Sequence, residues 1–131
     1  MNEPLAVRIV RWLTGGIAAL FGVATLFAGG RVLLGGDPGY QVFPPLLVYN
    51  TAMGLAYLAV GIMIWRSPRL GRAGARTIFM LNVVALITIV LVYSAGGGVA
   101  IDSLQAMSFR TGVWMALFLS AAWLARPRAS A

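Results

Sequence analysis

The sequence has 131 residues, room for one domain, and is 60% apolar and only 10% charged, where a soluble domain carries about 25% charged residues. The apolar residues stand in long blocks rather than short alternating runs, which excludes an ordinary water-soluble fold and points to a bilayer. The net charge of +7 comes from arginine alone; the arginines flank apolar blocks and have no polar domain to sit on, so they read as membrane-topology signals rather than a nucleic-acid face.

Helix one is expected over about 7–34. Its uncharged centre, Trp12 to Gly30, rises about 28 Å, close to the roughly 30 Å hydrocarbon core. That centre is longer than a signal-peptide core and no A-x-A site closes it, so it reads as a retained first helix. The run Gly35-Gly36-Asp37-Pro38-Gly39 combines helix-stop and turn chemistry. Helix two, about 44–65, opens on Pro44 and Pro45, where the missing N–H costs nothing, and Arg66-Ser67-Pro68-Arg69 ends it. Helix three, about 73–94, is dense in β-branched residues. A lone strand would leave its backbone unpaired in lipid, so helix is the reading. Gly96-Gly97-Gly98 breaks it, and helix four follows over about 103–125, with Asp102 or Ser103 as N-cap.

The fold class expected is therefore an all-α membrane protein, a single domain over 1–131 built as an up-down antiparallel bundle of four transmembrane helices. Eight arginines fall on one side of four crossings: Arg8 and Arg11; Arg66, Arg69, Arg72 and Arg76; Arg126 and Arg128. The positive-inside rule puts that side, with both termini, in the cytoplasm. Trp12, Trp65 and Trp123 fall at the inner interface, and Tyr40, Phe43 and Tyr93 at the outer one. The Arg-only, Ala/Gly/Val/Leu-rich usage suggests a bacterial genome, hence the cytoplasmic (inner) membrane. Small residues mark packing seams: Gly15 and Ala19, with Ala18 and Gly22, in helix one; Ala52 and Ala56 in helix two; Gly112, Ala116 and Ser120 in helix four.

Intramembrane polar residues are where function shows. Arg110 lies about 10 Å along helix four from Ser103. It reads either as an anion- or head-group-binding guanidinium or as a side chain that snorkels outward or pairs with Asp102. Tyr49, Asn50 and Thr51 open helix two at a similar depth, with Asn50 a natural partner for Arg110 or, as polar glue, for a neighbouring helix backbone. Gln105 and Ser103 extend the same cluster, and Arg31 either joins it, if helix one ends facing inward, or is an ordinary interface arginine. The ligand-binding candidates are thus Arg110, Asn50, Tyr49, Asp102, Gln105 and Arg31. Asn82 and Tyr57 read as isolated interhelical hydrogen-bonding groups. Arg66, Arg69, Arg72 and Arg76 form a loop suited to anionic lipid head groups. With no cysteine or histidine, disulfides, thiol redox centres, Cys/His zinc sites and His-ligated haem are excluded, so no metal or cofactor is expected. No carboxylate sits mid-membrane, which argues against a proton-driven pump.

Ala28-Gly29-Gly30-Arg31-Val32-Leu33, a basic residue after small ones near the end of helix one, resembles DoxX-like four-helix membrane proteins. Val48-Tyr49-Asn50-Thr51-Ala52-Met53-Gly54-Leu55-Ala56-Tyr57 and Ala106-Met107-Ser108-Phe109-Arg110-Thr111-Gly112-Val113-Trp114 resemble a group of small uncharacterised bacterial four-helix proteins. The resemblance implies no activity and no catalytic residues. Small multidrug exporters share the size but carry an acid in helix one that this chain lacks. Fluoride channels share the helix count, but their pore-lining phenylalanines and Thr/Ser track have no counterpart here. The leading functional reading is a non-enzymatic accessory or interaction subunit, whose partners are the bilayer, anionic lipids, other membrane subunits or a second copy. The alternatives are a small oligomeric anion or small-molecule carrier using the polar cluster, and a DoxX-like quinone-linked redox partner.

Overall fold

A computed structural model describes residues 3–127; Arg128 lies outside the described residues. The described chain is four helices in an up-down-up-down bundle: α1 (Leu5–Leu33), α2 (Pro44–Arg66), α3 (Pro68–Ser94) and α4 (Ile101–Leu124). The termini and Ser67 share one end of the bundle, and the connections 34–43 and 95–100 share the other, called here the loop end. Three helices, α1, α2 and α3, are long and apolar enough to cross a membrane. In α4, Asp102, Gln105 and Arg110 lower the hydropathy of its first half.

Two helix starts differ from expectation. α3 begins at Pro68 rather than near residue 73, because a single residue joins it to α2. The Ser67 N–H donates to the Met63 carbonyl at 2.7 Å, and its Oγ accepts from the Leu70 N–H at 3.5 Å, so one residue closes α2 and caps α3. Pro68 then takes the first helical position, where its fixed φ suits the helix. Arg69, Arg72 and Arg76 consequently lie on the first turns of α3 and not in a loop. The N-cap of α4 is Ala100, not Asp102 or Ser103. The Ala100 carbonyl accepts from Ser103 and Leu104, and Asp102 sits exposed in the first turn without a capping bond, where its charge still favours the helix N-terminus.

The surface is apolar: Leu20, Phe27 and Leu91 are 71%, 74% and 64% exposed. Polar Thr14, Thr25, Asn82, Ser103 and Thr111 are buried. This arrangement suits hydrocarbon, where helices gain nothing by hiding leucine and associate through close backbone approach and hydrogen bonds.

The closest approach is between α1 and α2. A Cβ added at Gly61 would stand 2.7 Å from the Ala19 nitrogen and 2.8 Å from the Gly15 carbonyl oxygen. One added at Gly22 would stand 2.6 Å from the Leu58 nitrogen and 2.7 Å from the Gly54 oxygen. The seam thus runs Gly15, Ala19 and Gly22 against Gly61 and Gly54, antiparallel. The expected Ala52 partner is exposed and plays no part. Gly71 and Gly74 do the same for the α2–α3 hairpin, each facing an α2 side chain, Ile64 and Val60. α3 packs on α4 through the stacked rings of Phe79 and Phe118. The expected seam on α4 is also displaced: Gly112 and Ala116 are exposed, and Thr111, Trp114, Leu117 and Ala121 face inward instead. The α1–α4 pair is the most thinly packed of the four neighbouring pairs.

At the termini end, Arg11 makes an ion pair with Glu3 and donates to the Trp65 carbonyl at 2.5 Å. The rings of Trp12 and Trp65 lie 5.3 Å apart, and Trp65 Nε1 donates to the Trp12 carbonyl at 3.2 Å. These contacts fasten α1 to α2 where the glycine seam ends.

Two identical chemical changes should separate the seam from the exposed face. Gly61→Ala drives a methyl into the α1 backbone and is expected to lower unfolding stability in mixed micelles by about 1–3 kcal/mol. Gly112→Ala, whose added methyl meets nothing within 4 Å, is expected to raise it by roughly 0.5–1 kcal/mol through helix propensity alone.

Candidate functional site

Arg110 stands nine residues past the start of α4, about 14 Å along the axis. It shares the inward stripe of Met107 and Trp114 by i, i+3, i+7 spacing. Its Nη1 donates to Thr25 Oγ1 of α1 at 2.9 Å. Its Cζ lies 5.5 Å from the Phe21 ring centroid and 6.0 Å from that of Tyr57. The guanidinium therefore turns into the bundle, held between α1 and α2 by one hydrogen bond and two ring faces.

What Arg110 lacks is a counter-charge. Among the described residues the ion pair is Arg11 with Glu3, at the other end of the bundle. Asp102, the expected pairing partner, is exposed and makes no such pair. Asp37 turns its Oδ1 to the Gly39 N–H at 2.8 Å in a local turn. Arg110 Nε is moreover buried with no hydrogen-bond partner.

Beside this group is a cavity of about 80 Å³. The α1–α2 connection covers it with Pro38, Tyr40 and Val42. Val32, Leu46 and Leu47 line its walls, and Asn50, Ser103, Ala106 and Arg110 bring the polar groups. Asn50 Oδ1 is buried and, like Arg110 Nε, has no partner. One orphan donor and one orphan acceptor thus belong to side chains of the same cavity. A water occupies about 30 Å³ of liquid, so the space suits a group of a few heavy atoms.

The other expected members are placed apart. Tyr49 donates its hydroxyl to Asn82 Oδ1 at 2.8 Å and does not line the cavity. Gln105 and Arg31 are exposed; Arg31 sits in the last turn of α1, where a cation suits the helix C-terminus. Asn50 and Arg110 share the cavity without a mutual hydrogen bond. Arg66, Arg69, Arg72 and Arg76 are all exposed around the α2–α3 junction. Asn82 and Tyr57, expected to stand alone, meet each other. Asn82 is fully buried, and its Nδ2 donates to the Tyr57 hydroxyl at 3.3 Å. Tyr57 in turn packs against Trp114 at 4.9 Å and Phe21 at 5.5 Å between ring centroids, which joins the polar knot to the walls around Arg110. Thr25 and Phe21 were not foreseen as site residues. The available signal was Thr25 three residues after Gly22 and four before Gly29, the spacing of the seam itself.

No family model, curated protein or solved structure matches the chain. The resemblance to DoxX-like and other small four-helix proteins therefore rests on the quoted segments alone.

The knot has a measurable signature. Asn82→Leu leaves the Tyr49 and Tyr57 hydroxyls without their amide and is expected to destabilise the protein by about 1–2 kcal/mol. Tyr49→Phe should then cost little further on the Asn82→Leu background, although it costs more in the parent; a double-mutant cycle read by unfolding in mixed micelles checks this.

Proposed function

We propose that this is a non-enzymatic binding subunit of the bacterial inner membrane. Four helices span the bilayer with both termini in the cytoplasm, and the protein holds the monoanionic acid group of a ligand on Arg110 at the loop end. The observation that carries the reading is the bundle-facing guanidinium with no carboxylate beside it. An arginine at mid-helix depth costs about 2.5–3.5 kcal/mol even on the lenient insertion scale, and hydrogen bonds to neutral groups leave its charge uncompensated. An anion offsets that cost directly. The orphan pair narrows its chemistry: Arg110 Nε needs an acceptor, and Asn50 Oδ1 needs a donor. A phosphate monoester suits that neighbourhood: its acid oxygens match the guanidinium, and its singly protonated form carries an O–H for the Asn50 amide that a carboxylate lacks.

The orientation follows from charge. Arg8, Arg11, Arg66, Arg69, Arg72, Arg76 and Arg126 gather at the termini end beside Glu3 alone, whereas the loop end has Arg31 against Asp37 and Asp102. Burying Arg110 against α1 lets α4 span, because its charge then faces protein rather than lipid. The exposed arginines of the α2–α3 junction face the inner leaflet, where anionic head groups contribute about 1 kcal/mol per arginine.

The absence of native cysteine makes the topology easy to read. In intact spheroplasts a membrane-impermeant maleimide should label Asp37→Cys and spare Arg66→Cys until lysis; the reverse pattern contradicts the orientation. For the site, methyl phosphate should bind more tightly than acetate, read through the fluorescence of Trp114 with Trp114→Phe as control. Arg110→Gln should weaken it by at least about tenfold, the size of one lost charge-assisted hydrogen bond. Arg31→Gln should leave it unchanged. Equal binding by Arg110→Gln removes the assignment.

A further inference from the structure

We infer that the ligand carries one long hydrocarbon chain. Its phosphate monoester head rests on Arg110, and its tail lies along the α1–α4 seam. The inference rests on the reading of Arg110 as an acid-binding group and adds to it the rest of the molecule.

The seam is where the bundle is most thinly packed, and two apolar grooves occupy it end to end. The first, about 260 Å³, runs between Phe21, Ala24 and Ala28 of α1 and Ala106 and Phe109 of α4, with Arg110 at its edge. The second, about 370 Å³, continues toward the termini end between Leu13, Thr14 and Ile17 and Val113, Ala116 and Ser120. From Ala106 to Ser120 the path covers about 21 Å of helix rise, the scale of a long acyl or prenyl tail and most of the roughly 30 Å hydrocarbon core. Small side chains (Ala24, Ala28, Ala106, Thr14, Ala116) leave the furrow open, and Ala24 and Ala116 are exposed.

Arg110 and Ala106 line both the covered cavity and the first groove. The guanidinium therefore stands at the junction of a long apolar furrow and a small chamber whose polar groups come from Asn50, Ser103 and Arg110 itself, the outline of a single-chain amphiphile. Charge decides between this occupant and a second copy of the chain. The carboxylates of the described residues, Glu3, Asp37 and Asp102, lie near the ends of the bundle. A second copy laid on this face brings no negative charge to Arg110, whereas an amphiphile with an acid head does.

The test uses the whole protein in nanodiscs of zwitterionic lipid, titrated with hexadecyl phosphate, hexadecanoate and methyl phosphate. Hexadecyl phosphate should bind most tightly, with hexadecanoate weaker for lack of the O–H. Ala24→Leu and Ala116→Leu, each filling the furrow from an exposed position, should weaken hexadecyl phosphate by roughly tenfold, the contact of two buried methylenes, and leave methyl phosphate unchanged. If both variants bind hexadecyl phosphate like the parent, the tail is not in the seam and the acid site stands alone. If neither phosphate binds, the acid site falls with it. If Ala116→Cys crosslinks to itself in native membranes, the seam is a homodimer face and the proposal is overturned.

Discussion

In hydrocarbon a leucine gains nothing by turning inward, so helices are held by close backbone approach and by polar groups that cannot find water. This constraint orders the whole bundle. Gly15 and Gly22 of α1 lie against Gly61 and Gly54 of α2 at a separation that leaves no room for a Cβ. The approach fixes α1 tightly on one neighbour and brings Thr25 and Phe21 to Arg110. The same logic buries Asn82 with Tyr49 and Tyr57. The α1–α4 seam has neither device along most of its length. It is correspondingly open, and the Arg110–Thr25 bond is its one polar tie among the described residues.

Arg110 is the exception within this economy of small residues and hydrogen bonds. Its Nη1 has Thr25, and its flat face has Phe21 and Tyr57, but among the described residues its charge has no opposite. Uncompensated charge in such a place is unfavourable by more than one neutral hydrogen bond returns. An anion-binding role turns that cost into affinity. In the reading proposed above, the cavity beside it, with Asn50 on its wall, takes the head group, and the furrow below takes the tail.

Much of the fold was legible because Gly and Pro clusters punctuate four long apolar runs. The start of α3 was not, because Arg69, Arg72 and Arg76 looked like loop charges. Ser67-Pro68 in fact acts as a cap followed by a first helical residue, and α3 runs straight through them. Seams were harder to read. On a helix apolar all round, hydrophobicity does not mark the inner face, so Ala52, Gly112 and Ala116 read as packing residues, although they are exposed and Gly54 and Gly61 make the close approach. The site was legible in depth and not in azimuth. Arg110 and Asn50 were named and do share a cavity. Arg31, Gln105 and Asp102 lie at the same end but point away from it, and Tyr49 serves Asn82. The Tyr57–Asn82 contact joins residues 25 apart that sit on different helices, a pairing that spacing along one helix does not encode.

The most direct test of the uncompensated charge is to observe its partner. Solid-state NMR of protein labelled with ¹⁵N-arginine, in bilayers with hexadecyl phosphate as the sole phosphorus source, reports the nuclei nearest to each guanidinium. The account predicts a dipolar contact between Arg110 Nε and phosphorus, assigned by its disappearance in Arg110→Lys. An Arg110 Nε that contacts water or an aspartate or glutamate carboxyl carbon, with no phosphorus nearby, would contradict it.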